Sequence, residues 1–315
     1  MSNVLVKYEG VDTPSVSEAM AENRLDFDVV TKPMIDPFTN AQSEFWGVFG
    51  VFDEAATVTK QFTTCKAKYQ PINNRDLFAG IAPLVDSGDM KIRNAGYMKD
   101  GARSFILTEL MKATENRIGS TNEKIMPYML TIADHSGGSC RFKSAGVNLF
   151  CCNQIGPILR KKIDSTGIDM RICHSGDVVG KLMDANQYFN QVMEYYTEVG
   201  EAMNSLVDTK ITAPQFEAML DVVHPMKEKG KGKTRAENVH NVIRSNFYNP
   251  QNLQPEIAGT AWAAANTVTT YFTWQASVKK ANGNDDFRRL DNCWFGNTNK
   301  VMSSVYKYLH SLAAA

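Results

Sequence analysis

Asp134, His135 and Ser136 are the three residue types of a hydrolytic triad, and they stand side by side in the chain. Triads bring such groups together from distant segments, because neighbouring side chains diverge. The group therefore predicts no triad. His135 is still a candidate general base, since the reference pKa of histidine lies near neutrality. A structural hydrogen bond at a turn is the alternative role for this histidine.

A glycine-containing segment at residues 176–181 (GDVVGK) has the look of a phosphate-binding loop. Such a loop needs one more residue between its glycines and a hydroxyl residue after the lysine. Leu182 occupies that last place. We therefore expect no nucleotide-binding loop here.

The six cysteines lack the Cys-x-x-Cys pairs that converge on a metal ion. Adjacent residues of a strand point to opposite faces, so only one of Cys151 and Cys152 could join Cys140, Cys173 and His174 at a site. Buried free thiols are the alternative. We expect reduced cysteines, no metal site and no cofactor.

The basic residues lie on or beside predicted strands, with aromatic residues interleaved. Lys66 and Lys68 share one face by the two-residue period of a strand. Single-stranded nucleic acid is bound by basic side chains that follow its phosphates and by aromatic side chains that stack on its bases. The aromatic residues could alternatively belong to the hydrophobic core. Residues 160–162 could alternatively be the solvated end of a helix. The predicted nucleic-acid-binding residues are Lys66, Lys68, Tyr69, Arg75, Lys91, Arg93, Lys99, Arg103, Arg141, Lys143, Arg160, Lys161 and Lys162.

Charge is unevenly distributed along a chain whose net charge is zero. Residues 1–59 carry 3 basic and 10 acidic groups, a balance of −7, and residues 60–175 carry 17 and 10, a balance of +7. This asymmetry indicates a basic surface for a polyanion, which the acidic segment could shield. Ordinary solvated charge is the alternative.

Composition indicates a folded, soluble protein, with 43% hydrophobic and 22% charged residues in 315. No stretch approaches the roughly 20 apolar residues of a membrane-spanning helix. The first residues, MSNVLVKYEGVDT, lack the basic start and apolar run of a signal peptide. We therefore expect a cytoplasmic protein without a membrane partner.

These residues need a scaffold, and the hydrophobic pattern predicts an α+β fold built on a mostly antiparallel sheet of hairpins with one or two packed helices. Residues 15–23 predict a helix with a serine cap. A short helix is expected over 76–85. The hairpins, about six strands in all, pair 46–52 with 57–64, 91–98 with 102–110, and 125–133 with 139–150.

The C-terminal third is expected to be helical. Apolar residues spaced alternately by four and three over 178–206 predict a heptad helix roughly 43 Å long, which packs within the chain or against a partner chain. Helices are also expected over 212–225, 236–247, 257–279 and 298–312, with a mobile basic loop over 227–235. The chain thus divides into an acidic segment (1–45), a basic sheet core (46–175) and a helical region (176–315).

Short motifs follow one another in a fixed order over residues 46–275. They are Tyr69-x-Pro71-x-x-Asn74-Arg75-x-x-Phe78, Ala95-Gly96, Gly101-x-Arg103, Pro127-Tyr128-x-Leu130, His135, Cys152-Asn153, Cys173-His174 with Gly176, and Ala261-Trp262-x-x-x-Asn266-x-Val268-Thr269. This ordered set resembles the family known as domain of unknown function 932. Members usually carry an acidic residue after the histidine, whereas Asp134 precedes it here. They also tend to have an arginine where Asn148 stands.

The resemblance implies a context rather than a mechanism. Proteins of this family are typically encoded by phages, plasmids and mobile elements. Their hairpins with an associated helix are similar to those of single-strand annealing proteins related to Rad fifty-two. That second likeness is an analogy of fold, and a fold does not determine function.

Our leading hypothesis is a phage or mobile-element protein that binds single-stranded DNA and promotes annealing in recombination or replication, as a homo-oligomer and without catalysis. One alternative is a metal-dependent enzyme acting on nucleic acid, with His135, His174 and Asp134 around the metal. Another is a structural or host-interaction phage protein whose basic patch is incidental.

Overall fold

The structure is a computed structural model. It describes residues 4–8, 13–111, 116–117, 119, 124–148, 154–155, 169–175, 192, 196, 200–226, 231–249, 255–277, 289, 292–293 and 296–314. The chain forms two compact units. The first contains Met1–Lys112, Tyr128–Ser144 and Thr166–Val192, and the second contains Ala113–Pro127, Ala145–Ser165 and Met193–Ala315. The fold is α+β, as the sequence predicts.

The first unit contains most of an antiparallel sheet in the order β1-β5-β6-β8-β9, with β11 paired to β9. Every residue of β6 is buried, so this strand is the centre of the sheet. The strands are β1 (Val4–Lys7), β5 (Met90–Met98), β6 (Arg103–Leu110), β8 (Lys124–Asp134), β9 (Cys140–Asn148) and β11 (Asp169–Ile172).

The hairpin from β5 to β6 turns at Lys99–Gly101, which forms one turn of 3-10 helix. Positive φ angles occur at all three turn residues: 52° at Lys99, 55° at Asp100 and 97° at Gly101. Aspartate and glycine tolerate this backbone region, which explains why Asp-Gly marks the turn.

A second antiparallel sheet has the order β2 (Asp28–Ile35), β3 (Gln42–Val51) and β4 (Thr59–Lys66). Its inner side packs Phe27, Val29 and Val48 against Phe52 and Phe62. The sequence predicted the β3–β4 hairpin but not β2, where Pro33 and exposed polar residues weaken the strand pattern.

Three short helices belong to the first unit: α1 (Val16–Glu22), α2 (Asn74–Ala79) and α3 (Ala82–Asp86). Ser15 and Glu18 form a capping box at the start of α1, which confirms the predicted serine cap. The helix expected over 76–85 is two helices, because the chain breaks at Gly80 and restarts with a proline in the first turn of α3.

The second unit is mainly helical. Its helices are α4 (Ala213–Val223), α5 (Lys231–Tyr248), α6 (Ala261–Thr270) and α7 (Asn297–Ala313), and a π-helical segment, Tyr271–Gln275, follows α6. It also contains the 3-10 turn Pro255–Ile257 and the two-residue strands β7 (Asn116–Arg117) and β10 (Gln154–Ile155). α6 is buried at every position except its last residue, Thr270. α7 contacts α4 and α6, and α5 contacts α6.

One expectation for this region changes, and another is only partly covered by the described residues. Residues 231–235, predicted as part of a mobile loop, form the start of α5, and residues 227–230 lie outside the described residues. Most of the predicted heptad helix also lies outside them. Residues 200–208 are helical, and Val192, Tyr196, Met203 and Leu206 of the heptad stripe are buried within one chain.

Candidate functional site

His135 lies at the end of β8 with no exposed surface. Its backbone N–H donates to the carbonyl of Ala102 at 2.7 Å, and its Nε2 lies 2.9 Å from Oδ1 of Asn74. Nδ2 of Asn74 donates to the carbonyl of Leu25, which fixes the orientation of the amide. Because Oδ1 can only accept, Nε2 of His135 carries the proton and Nδ1 keeps a lone pair.

His174 follows β11 and is buried beside His135, with 5.8 Å between the ring centroids. Its Nε2 donates to the carbonyl oxygen of Asp134 at 2.9 Å, so its Nδ1 also keeps a lone pair. The ring of Tyr69 stacks on His174 at 4.7 Å. Nδ1 of each histidine and the hydroxyl of Tyr69 are buried without a hydrogen-bond partner among the described residues.

Burial, together with a smaller effect of the neighbouring His174, lowers the pKa of His135 to about 3. Burial also lowers the pKa of His174, although its hydrogen bond to Asp134 opposes this. Burial raises the pKa of the Cys140 thiol to about 12. At neutral pH these groups are therefore uncharged, and the imidazoles can accept hydrogen bonds or ligate a cation, but they supply no positive charge.

The carboxylate of Asp134 binds Arg103. Burial would raise the pKa of Asp134, but the charge of Arg103 and hydrogen bonds from Ser136 outweigh this and lower it. The three adjacent residues at positions 134–136 are thus not arranged as a triad, since Ser136 binds Asp134 and His135 binds Asn74. His135 has the structural hydrogen bonds that were the alternative to a catalytic role.

A cleft of about 340 Å³ opens between the end of β4 and the loop that follows β8. It is lined by Thr63, Thr64, Cys65, Lys66, Lys68, Tyr69, Gly137, Gly138, Cys173, His174 and Ser175. Lys66 and Lys68 are exposed, and their side chains form no hydrogen bond or ion pair with a described residue. These lining residues include no carboxylate. The cleft is therefore a cationic surface above two buried imidazoles.

The loop at the cleft depends on two glycines. Gly137 has a φ of +91°, and a Cβ on Gly138 would lie 2.4 Å from Oδ2 of Asp134. A larger residue at 138 would push against a carboxylate that Arg103 holds in place. Small residues here allow the backbone to pass close to the cleft.

The other predicted nucleic-acid-binding residues are differently placed. Arg103 is buried and forms an ion pair with Asp134. Arg75 pairs with Asp28 at 2.5 Å, and Arg93 pairs with Glu109 at the same distance. Lys68 lies in the turn after β4 and not on the strand beside Lys66. Residues 160–162 lie outside the described residues.

Four further predicted contacts are on the surface of the first unit. Arg141 and Lys143 are partly exposed on β9 and alternate with buried Cys140 and Phe142, so they share a face of the strand. Lys91 is partly exposed on β5, and Lys99 is exposed in the turn after β5. All of these remain predicted contacts.

Sequence reasoning gave no role to two residues of this site, Asn74 and Cys65. Asn74, which sets the tautomer of His135, was noticed only as part of a motif. Cys65 and Cys173 line the cleft, and they are free thiols with Cys140 and Cys293. Cys151, Cys152 and the segment 176–181 lie outside the described residues. The motif signal was sufficient to find Asn74, whereas only the fold brings Cys65 and Cys173 to one cleft.

Fold and site together define an α+β protein with a cationic cleft above a neutral histidine pair. The family model described as Domain of unknown function (DUF932) matches residues 61–294, more than half of the chain, so the protein belongs to this family. No curated protein and no solved structure matches the chain. The described residues contain no helix long and apolar enough to cross a membrane.

Proposed function

We propose that the protein binds single-stranded DNA through the cleft above His174 and promotes strand annealing in the recombination or replication of a phage or mobile element. The observation that carries the proposal is the pair of exposed lysines, Lys66 and Lys68, on a cleft lined by glycine backbone. Neither lysine pairs with a described residue, and the described residues that line the cleft include no carboxylate. Phosphates would bind these cations, and counterion release would supply much of the affinity.

The neutral state of the histidines supports a binding role. With a pKa of about 3, His135 supplies no proton near pH 7 and makes a poor general acid. Asn74 fixes its orientation. In this proposal the two imidazoles and Tyr69 form the rigid floor of the cleft, and Lys66 and Lys68 bind the phosphate backbone.

The test is a titration of labelled oligothymidine by fluorescence anisotropy at two salt concentrations. The double variant Lys66→Gln/Lys68→Gln should bind more weakly, and its slope of log K against log salt should fall by about 0.7 for each lost phosphate contact. Lys233→Gln/Lys307→Gln removes the same charge from exposed helical positions of the second unit and should leave both quantities unchanged. Absence of binding by the wild type at low salt would refute the proposal.

Annealing needs a separate measurement. Two complementary labelled strands should anneal faster with the wild type than with the Lys66→Gln/Lys68→Gln variant, as followed by energy transfer. Equal rates with both proteins would show that the cleft does not promote annealing, even if it binds DNA.

A homo-oligomer is also part of the proposal. Phe38, at the tip of the β2–β3 hairpin, is 95% exposed, and Ile35 is 55% exposed. Contiguous exposed apolar patches mark interaction surfaces, and these two side chains lie three positions apart on one hairpin. Light scattering should give a mass above one chain, and Phe38→Ser should lower it. A monomeric wild type would refute this part.

The alternative function is a metal-dependent enzyme acting on nucleic acid. It is favoured by the two buried Nδ1 lone pairs, because ligating histidines commonly donate their other N–H to a carbonyl or amide oxygen, as His174 and His135 do. The described residues contain no group of three or more potential ligands. Metal analysis of the purified wild type and of His174→Asn separates the two functions, since a bound metal lost in the variant would support the enzyme.

A further inference from the structure

The second unit has its own cavity, of about 400 Å³. Binding pockets for small molecules have volumes of roughly 300–1,000 Å³. The cavity lies among the end of α4, the start of α5, the π-helical segment and the start of α7, and the described residues that line it include two arginines and no carboxylate. We infer that this cavity binds a phosphorylated compound with a planar aromatic ring, such as a mononucleotide.

Two arginines supply the charge for a phosphate. Arg235 is exposed and forms no hydrogen bond or ion pair with a described residue. Arg289 is partly buried, and its Nε donates to the carbonyl of Ala276 at 3.4 Å, which holds it at the cavity wall. Guanidinium groups bind phosphate through two parallel hydrogen bonds, so arginine is suited to this ligand.

Two aromatic residues supply a surface for a planar ring. Tyr271 and Phe272 begin the π-helical segment and line the cavity, with ring centroids 5.1 Å apart. π-Helical turns occur frequently at functional sites, because the extra residue in the turn changes the direction of its side chains. Base-on-aromatic stacking tolerates many rings, so the ligand class is wider than one base.

The start of α7 adds to the attraction for an anion. Asn297 and Thr298, in its first turn, line the cavity, and its N-cap is Gly296, which offers no side chain to the first N–H groups. A Cβ on Gly296 would lie 2.6 Å from Oδ1 of Asn292, so close packing favours glycine here. The positive end of this 17-residue helix therefore faces the same cavity as the arginines.

One residue of the cavity wall, His224, carries a buried polar atom without a partner among the described residues. Nδ1 of His224 is buried and has no hydrogen-bond partner among the described residues. Its backbone carbonyl accepts a hydrogen bond from Nε2 of His240 at 2.9 Å, which fixes this corner of the wall. A ligand hydroxyl or amine that reached Nδ1 would satisfy an atom that is costly to leave unpaired.

The test is calorimetric titration of the full-length protein with adenosine monophosphate, uridine monophosphate, adenosine and inorganic phosphate. Both nucleotides should bind more tightly than adenosine or phosphate alone. Arg235→Gln should weaken nucleotide binding about ten-fold, because it removes a charge-assisted contact. Lys233→Gln is the matched control, because it removes the same charge from the same helix at a residue that does not line the cavity. This variant should bind nucleotides as tightly as the wild type does.

A second variant tests the aromatic part of the ligand. Phe272→Leu should weaken nucleotide binding and leave phosphate binding unchanged. Equal losses for both ligands would refute the assignment of an aromatic ring. No binding of either nucleotide by the wild type, or equal losses in Arg235→Gln and Lys233→Gln, would refute the site.

The Lys66→Gln/Lys68→Gln variant distinguishes this cavity from the DNA-binding cleft. It should bind nucleotides as the wild type does, whether or not the wild type binds DNA. Loss of nucleotide binding in that variant would place the ligand in the cleft and overturn this inference.

Discussion

Arg103 donates two hydrogen bonds to one carboxylate oxygen of Asp134, from Nε at 3.0 Å and from Nη2 at 2.7 Å. The two residues face each other across β6 and β8, and their side chains are 9% and 11% exposed. Oδ1 of Asp134 accepts from the backbone N–H and the hydroxyl of Ser136, so the pair also anchors the loop after β8. Arg103 is thus a structural residue beneath the cleft.

Arg103→Met should destabilise the first unit by about 3–5 kcal/mol, because it leaves the carboxylate of Asp134 buried without a cation. Hydrogen exchange of the β6 amides measures this local free energy of unfolding. Arg75→Met is the matched control, since its pair with Asp28 has side-chain exposures of 59% and 54% and should contribute less than about 1 kcal/mol. Similar losses in the two variants would contradict the structural role.

The stability of the first unit should fall as the pH drops from 7 to 5. The unfolded chain protonates His135 near its ordinary pKa of 6.5, whereas burial keeps the folded residue neutral down to about 3. The unfolded state therefore binds more protons in this window, and His135 contributes a loss of about 2 kcal/mol between pH 7 and pH 5. The lowered pKa of His174 acts in the same direction. Hydrogen exchange of β8 at several pH values measures the slope.

The variant His135→Gln should reduce that slope, whatever its effect on stability at pH 7. Lys68→Gln leaves every histidine in place and should keep the slope of the wild type. The lowered pKa of Asp134 matters only near and below pH 4, which the chosen window avoids. An unchanged slope in His135→Gln would show that another group is responsible.

Much of the fold was predictable because the signals are local. The serine cap of α1 acts over four residues, and the structure confirms it. The helix expected over 212–225 is also present, and Thr212 and Pro214 mark its start in an equally local way. The strand β2 was not predicted because both of its faces are largely exposed, so no alternation of apolar and polar residues marks it.

The site was less predictable, because ion pairs between residues far apart in the sequence decide which basic side chains remain available to bind a ligand. The sequence places Arg75, Arg93 and Arg103 among the binding residues on equal terms with Lys66 and Lys68. The structure gives each arginine a carboxylate from a residue at least 16 positions away, and no local pattern shows those pairs. The histidine pair is equally hidden, since its members lie 39 positions apart in the sequence.

Gly138→Ala should destabilise the loop after β8 by about 1–3 kcal/mol and weaken binding in the cleft. The added Cβ would lie 2.4 Å from Oδ2 of Asp134, which Arg103 holds. Gly88→Ala is a useful comparison, because Gly88 has a φ of +77° but nothing within 4 Å of an added Cβ, so only backbone strain applies there. Thermal unfolding and DNA titration of both variants check this, and normal DNA binding by Gly138→Ala would contradict it.

Alkylation of the cysteines should report on the cleft. Cys173 is exposed and lines the cleft, whereas burial raises the pKa of the Cys140 thiol to about 12 and leaves it unreactive. Iodoacetamide should therefore modify Cys173 much faster than Cys140, as measured by mass spectrometry of peptides. Saturating oligothymidine should slow the modification of Cys173, because the strand would cover the cleft. The Lys66→Gln/Lys68→Gln variant should lose this protection at the same DNA concentration. Binding by anisotropy without any protection of Cys173 would mean that the DNA lies on another surface.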